Sequence, residues 1–335
     1  MEGRRTINYF QWIRACGAVA IVLLHAFVTL HIAGEGSLSP VRVGIEEALS
    51  ITLTRWAVPA FFMVSGALML DPSRTMGWDK ILRHVWRLVF VLLTFGLAFA
   101  LVESISNQHF VVDAQGIIDG FHRLLSEDSW DHMWFVYELI GYYLMTPFIR
   151  PWVAQVSREE YGRVLLWMFV VMMGTSAISS FLPYRMYYGV AIPECFCYYL
   201  LGYYAMCYLE LDRRWLCAGA VSLVAMLVLV IVLDQTWASA PICGVVAPYA
   251  IMVFLAFKRY LDIPTEGHPL VALFADYSFG IYLIHPVFQH LMVMVPAIVG
   301  APALLADVAL TVVPLALSLV SVWLLRFSPG FRGKI

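Results

Sequence analysis

Apolar runs of about 20 residues recur along this chain between short clusters of charge, and about 20 helical residues cross a hydrocarbon core of roughly 30 Å. Such runs fall at approximately 9–32, 45–70, 81–103, 132–150, 163–182, 189–209, 215–233, 240–258, 269–295 and 302–325. The sequence therefore predicts an all-α membrane protein with about ten transmembrane helices. Of its 335 residues, 61% are hydrophobic and 13% charged, and the mean hydropathy is +0.80; soluble domains are far more polar. The least regular runs are the fourth, interrupted by Glu138 and Pro147, and the ninth, which holds His285 and Pro286.

Charge in the loops gives an orientation, because short cytoplasmic loops are enriched in Lys and Arg. With the N-terminus inside, Arg4, Arg5, Arg74, Lys80, Arg83, Arg150, Arg158, Arg163, Arg213, Arg214, Lys258, Arg259, Arg326, Arg332 and Lys334 share one side. The opposite loops carry chiefly Arg42, Arg123 and Arg185. The prediction is N-in and C-in. The first run lacks a small-residue cleavage site and is followed by further spans, so a retained helix is expected rather than a signal peptide. A single membrane domain is expected over 1–335, in the cell (inner) membrane, without an appended soluble domain. The segment at about 104–131 is expected outside as a loop, with GIIDGFHRLL forming a short interfacial helix. A net charge of -2 with no basic cluster gives no reason to expect nucleic acid as a partner. The six cysteines, Cys16, Cys195, Cys197, Cys207, Cys217 and Cys243, lack paired-ligand spacing, so packing is expected and no metal.

Ionisable groups inside a span are costly and need partners. In RACGAVAIVLLH, the eleven positions from Arg14 to His25 turn through close to three circles at about 100° each, so both side chains share a face about 16 Å apart along the axis. Arg14 falls near the cytoplasmic end and His25 beyond the middle. Taken singly, Arg14 fits snorkelling to headgroups and His25 fits a hydrogen-bonded packing residue. Together they fit a site, since a buried imidazole suits a general base or proton carrier.

Other polar groups join them. Arg55 precedes Pro59, a helix-distorting residue, and Ser65-Gly66 suits close helix approach. Trp134, Glu138 and Tyr142 recur at four-residue spacing on one face, and Glu138 is a partner candidate for Arg55 or His25. Arg55 and Glu138 fit equally a structural ion pair. Ser278, Tyr282 and His285 form a stripe at i, i+4 and i+7, some of which can serve the carbonyl that Pro286 leaves without a donor. Arg83 and Arg87 share a face suited to lipid phosphates or to those of a nucleotide-like donor such as coenzyme A.

Four segments resemble the acyltransferase-3 family of bacterial integral membrane acyltransferases, which includes surface-polysaccharide O-acetyltransferases. They are Arg14 through His25, RWAVPAFFMVSGALML at 55–70, HMWFVYELIGYYLMTP at 132–147 and DYSFGIYLIHPVF at 276–288. The resemblance runs from residue 6 to about 325 and implies an acyl-CoA donor on the cytoplasmic side with an acceptor hydroxyl outside. It also implies that His25 is catalytic and that Arg14 assists donor binding or the site's architecture. The chain departs from many relatives in showing no fused hydrolase-like domain, so the membrane domain is expected to act alone or with a separate partner protein.

On that basis an O-acetyltransferase acting on a bacterial cell-envelope glycan or glycolipid is expected. Acetyl-CoA would place its phosphates near Arg83, Arg87 and Arg14, and its thioester would reach toward His25. His25 would act as base or brief acyl carrier, Glu138 would orient its ring, and Arg55 or Tyr282 would stabilise oxyanion charge. Ser278, His285 and Trp134 are further substrate-binding or oxyanion candidates. The competing class is a proton-coupled transporter or flippase, against which stands the absence of duplicated halves.

Overall fold

The computed structural model describes residues 7–33, 39–107, 113–126, 130, 132–181, 195–233, 240 and 244–335, and among them all regular structure is helical. Glu127, Asp128, Asp131, Arg185, Cys243 and the start of the run at 189–209 lie outside the described residues. Apolar periodicity and caps explain the element boundaries. α1 (Asn8–Ala33) precedes α2 (Pro40–Thr54), whose N-cap Ser39 accepts from the Arg42 N–H, and α3 (Ala57–Leu70). The run at 45–70 is thus two helices: Pro59 has no N–H for the carbonyl of Arg55, and the chain turns at Arg55–Trp56. α4 (Trp78–Val91) passes through a π-turn at Leu92–Gly96 into α5 (Leu97–Asn107). There the Thr94 hydroxyl donates to the Phe90 carbonyl. α6 (Ala114–Leu125) is capped by the Asp113 carboxylate, and α7 (Trp134–Gln155) follows.

Beyond it come α8 (Arg158–Phe181), α9 (Phe196–Tyr208) and α10 (Arg213–Leu227), with Asp212 accepting from the N–H groups of Arg214 and Trp215. The chain ends in α11 (Val246–Tyr260), α12 (Pro269–Val293), α13 (Pro296–Val299) and α14 (Ala303–Leu325). Each of the ten apolar runs contains a helix. Six segments among the described residues are long and apolar enough to cross a membrane: Asn8–Ala33, Val41–Leu70, Trp78–Ser104, Arg213–Val232, Pro269–Val293 and Leu304–Leu325. The other runs fall on α7, which carries Glu138 and Arg150, on α8, whose first turns are charged, and on the shorter α9 and α11.

The helices form two compact units, Met1–Leu68 with Arg158–Gly333 and Ile335, and Met69–Ser157 with Lys334. In the first, α1, α12 and α14 pack together. Ala18, Val22 and Ile281 make one buried cluster, and Ala26, Leu30, Ala306 and Leu310 another. Small residues allow this approach: a Cβ on Gly280 would lie 2.5 Å from a Val322 methyl. Outward, Val221, Val224, Val228 and Val232 form an exposed apolar row along α10 and the turn that continues it, and Leu305, Val308, Val312 and Val320 form one on α14. Such rows suit contact with lipid.

In the second unit, Ile81, Val85, Leu88 and Val91 give α4 one buried face. The outer segment expected at 104–131 differs in part. α5 stays helical to Asn107, and α6 packs back on it. Gly120 sits against Leu101, and the Ser104 hydroxyl donates to the Gly116 carbonyl at 2.9 Å. With Gly116, Gly120 and Leu124 inward, Ile117, Ile118, Phe121 and Leu125 are left exposed on α6. That face suits a membrane interface. Arg150 holds the connection between α3 and α4 by donating from Nη1 to the Met69 carbonyl and from Nη2 to the Arg74 carbonyl, each at 2.6 Å. Arg150→Ala is expected to speed protease cleavage within 71–77 severalfold, measured by peptide mapping. Arg150→Lys should fall between the two, since a point ammonium lacks the guanidinium fork.

Candidate active site

Four polar residues, Ser278, His285 and Gln289 on α12 and Arg14 at the foot of α1, line the contact between these two helices and lead to His25. The Arg14 Nε donates to the Ser278 hydroxyl at 3.3 Å, and that hydroxyl donates to the Ala275 carbonyl at 2.9 Å. Farther along both helices, His25 Nδ1 lies 2.6 Å from His285 Nε2, and His285 Nδ1 lies 2.9 Å from the Ile281 carbonyl oxygen. The two rings are 8° from parallel, with centroids 4.9 Å apart. Because Arg14 meets Ser278 before His25 meets His285, α1 and α12 run in the same direction. Both helices present this polar face at helical spacing, with Ala18, Val22 and Ile281 filling the interval between the two polar contacts.

His285 is fully buried, and so is Gln289 one turn on. Gln289 Nε2 donates to the Val22 carbonyl at 2.8 Å and to the Leu310 carbonyl at 3.1 Å, tying α12 to α1 and α14 beside the histidine pair. Sequence reasoning missed Gln289, although it continues the stripe four residues beyond His285. Tyr282, one turn beyond Ser278 on the same helix, has its ring 6.2 Å from the Phe279 ring. Arg55 lies in electrostatic reach of His25 and of Glu47. Its Nε is buried with no hydrogen-bond partner among the described residues.

The second unit holds the remaining candidates. Glu138 accepts a hydrogen bond from the Tyr142 hydroxyl, and Trp134 opens α7 with its ring 6.3 Å from Phe135. Arg83 is exposed on α4. Arg87 donates from Nε to the Lys334 carbonyl at 2.6 Å. No group of three or more His, Cys, Asp or Glu residues able to hold a metal occurs among the described residues. Cys16, Cys195, Cys197, Cys207 and Cys217 form no disulfide among the described residues.

The arrangement suits acid–base chemistry: two imidazoles in hydrogen-bond contact, with Arg55 in electrostatic reach and an apolar surround. The family model described as an acyltransferase domain matches residues 7–325, a span that takes in every candidate residue named above. No curated protein and no solved structure matches the chain. A match over nearly the whole length, on an all-helical chain with several membrane-length helices, settles the class: the chain belongs to the acyltransferase-3 family and is a multi-pass membrane acyltransferase.

Proposed function

We propose that this protein is a single-domain O-acyltransferase of the cell membrane, with about ten crossings and both termini cytoplasmic. It moves an acyl group, acetyl first among the candidates, from cytoplasmic acyl-CoA to a hydroxyl of a cell-surface glycan or glycolipid. The carrying observation is the pairing of Arg14 with Ser278 and of His25 with His285 along two parallel apolar helices. Parallel membrane helices of one chain need an odd number of crossings between them. The ten-span reading supplies that, with seven runs between the first and the ninth.

In this reading a His25 nitrogen takes the proton of the acceptor hydroxyl as the oxygen attacks the thioester carbonyl. The C–S bond breaks, and the coenzyme A thiolate recovers the proton from the imidazolium. Alternatively the imidazole attacks first and expels the coenzyme A thiolate, and the hydroxyl then displaces the ring from the acyl-imidazole, its proton passing to that thiolate. Arg55 supports the reading as an oxyanion donor because its buried Nε–H has no hydrogen-bond partner among the described residues. Arg83 and Arg87 on α4 suit the phosphates of the donor, and Glu138 with Tyr142 supplies a carboxylate candidate.

Purified protein incubated with radiolabelled acetyl-CoA tests the assignment. Free coenzyme A and His25-dependent transfer of label are expected; solute movement in proteoliposomes without thioester consumption would overturn it. Arg14→Lys is expected to raise KM for acyl-CoA about tenfold with a smaller fall in kcat, read from initial rates of thiol release. This is the pattern of lost ground-state binding.

A further inference from the structure

We propose that His285 is a positioning residue that holds His25 in its Nδ1–H tautomer and so places the reactive lone pair on His25 Nε2. The inference rests on the reading of His25 as base or acyl carrier and adds which nitrogen does the work and what selects it.

The argument starts from an atom that cannot donate. The Ile281 main-chain oxygen is only an acceptor, so at 2.9 Å His285 Nδ1 must bear the hydrogen. A neutral His285 then has its lone pair on Nε2. His25 Nδ1, 2.6 Å away, must be the donor to it, and a neutral His25 keeps its own lone pair on Nε2. Rings 8° from parallel, with nitrogens 2.6 Å and centroids 4.9 Å apart, meet edge to edge and close to one plane. That is the alignment an N–H···N bond requires.

The frame around His285 is built to keep this polarity. Its ring is fully buried and bonded to a carbonyl of its own helix one turn back. One turn on, Gln289 bonds the Val22 carbonyl and sets the register of α12 against α1 three residues before His25. A carboxylate would orient an imidazole equally well, as acids do beside catalytic and metal-bound histidines. In an apolar helix contact, a neutral imidazole backed by a carbonyl gives the same direction without burying a permanent charge.

The tautomer serves both chemical routes. As base, His25 Nε2 takes the hydroxyl proton, and the imidazolium still donates from Nδ1 to His285. The proton then leaves Nε2 for the thiolate sulfur, and the starting pair returns. As acyl carrier, Nε2 attacks the thioester carbon, sulfur departs with the C–S electron pair, and the Nδ1–H···Nε2 bond stabilises the charge on the ring; the acceptor oxygen then attacks the acyl carbon, the C–N pair returns to Nε2, and the hydroxyl proton passes to the coenzyme A thiolate.

The test is the ¹⁵N spectrum of histidine-labelled protein in detergent, with the His25 signals identified by their loss in His25→Ala. Hydrogen-bearing and lone-pair nitrogens are well separated in such spectra. Wild type is expected to show His25 with hydrogen on Nδ1 and a lone pair on Nε2. In His285→Gln the side-chain oxygen can still accept from Nδ1, so that pattern and a tenth or more of kcat should remain. In His285→Phe the pattern should shift to mixed tautomers, and kcat should fall about 10²-fold or more with KM for acetyl-CoA little changed.

Hydrogen on His25 Nε2 in the wild type would overturn the proposal. So would full kcat in His285→Phe, or kcat in folded His285→Gln as low as in the Phe variant. Should the Phe variant not fold, the wild-type and Gln spectra decide the matter. If His25→Ala kept full acyl transfer, the catalytic reading of His25 would fall, while the spectrum would still report on the tautomer.

Discussion

Gly202→Ala is expected to leave no monodisperse protein in detergent, and Gly66→Ala to behave in the same way. A Cβ on Gly202 would lie 1.8 Å from the Met63 carbonyl oxygen, and one on Gly66 would lie 1.7 Å from the Tyr199 carbonyl oxygen. The two contacts are reciprocal, with residues 63 and 66 of α3 against 199 and 202 of α9, so the helices cross backbone to backbone. Glycine is required at both positions for lack of a side chain, the usual basis of close crossings between membrane helices. A clash with a flexible side chain relaxes by rotation; a clash with main chain moves a whole helix. Ordinary overpacking costs about 1–3 kcal/mol, and this displacement should reach the range above about 4–5 kcal/mol that marks exceptional substitutions. Gly141→Ala in α7 is the control. Nothing lies within 4 Å of its Cβ, and the exchange should be neutral or stabilising by about 0.5–1 kcal/mol. Size-exclusion profiles and thermal melts of the three variants check both expectations.

How far this fold could be read in the sequence depends on the signal each element gives. All ten apolar runs contain helix because backbone satisfaction in lipid leaves few alternatives. The number of crossings is less legible, since α9 and α11 are short and α7 and α8 carry charge. The turn at Arg55–Trp56 follows from Pro59, four residues on, yet hydropathy alone reads straight through it as one span. The α5–α6 pairing was also within reach, because Gly116 and Gly120 stand one turn apart. Their apolar neighbours Ile117, Ile118 and Phe121 dominate the composition and point to an interfacial helix instead. Gly202 gives no signal: a lone glycine amid YYLLGYYAMCY becomes meaningful only when Met63 is seen against it.

The site was legible where charge sits in an apolar helix. Arg14 and His25 stand out by cost and share a face by spacing, and Ser278 and His285 prove to be their partners on α12. Spacing puts Tyr282 in the same stripe, where its ring lies beside that of Phe279, while Ser278, Ile281, His285 and Gln289 make contacts to α1. Gln289 escaped because an amide bears no charge. Its burial and its bonds to two main-chain carbonyls show that it helps set the helix contact.

His25→Ala is expected to lower kcat for acyl transfer from acetyl-CoA by about 10³-fold or more while leaving a folded protein. General acid–base catalysis by one side chain contributes about 10²–10⁴, and both proposed routes pass through this ring, so its loss removes the base and the carrier together. The structural cost is far smaller. Truncation removes one hydrogen bond and leaves the buried His285 Nε2 without its donor, a penalty of about 1–3 kcal/mol. The packing of α1 rests on many other buried residues, Phe10, Ile13, Ala18, Val22, Ala26 and Leu30 among them, which the change does not touch. A melting temperature lowered by a few degrees with thiol release near background is therefore the expected pair of measurements. The two readouts separate the possibilities: a collapse in melting temperature would mark His25 as structural, and a folded variant with wild-type thiol release would remove it from the chemistry. His25→Gln should be as inactive as the alanine variant, because an amide can restore the hydrogen bond to His285 but offers neither a basic nor a nucleophilic nitrogen to the acyl group.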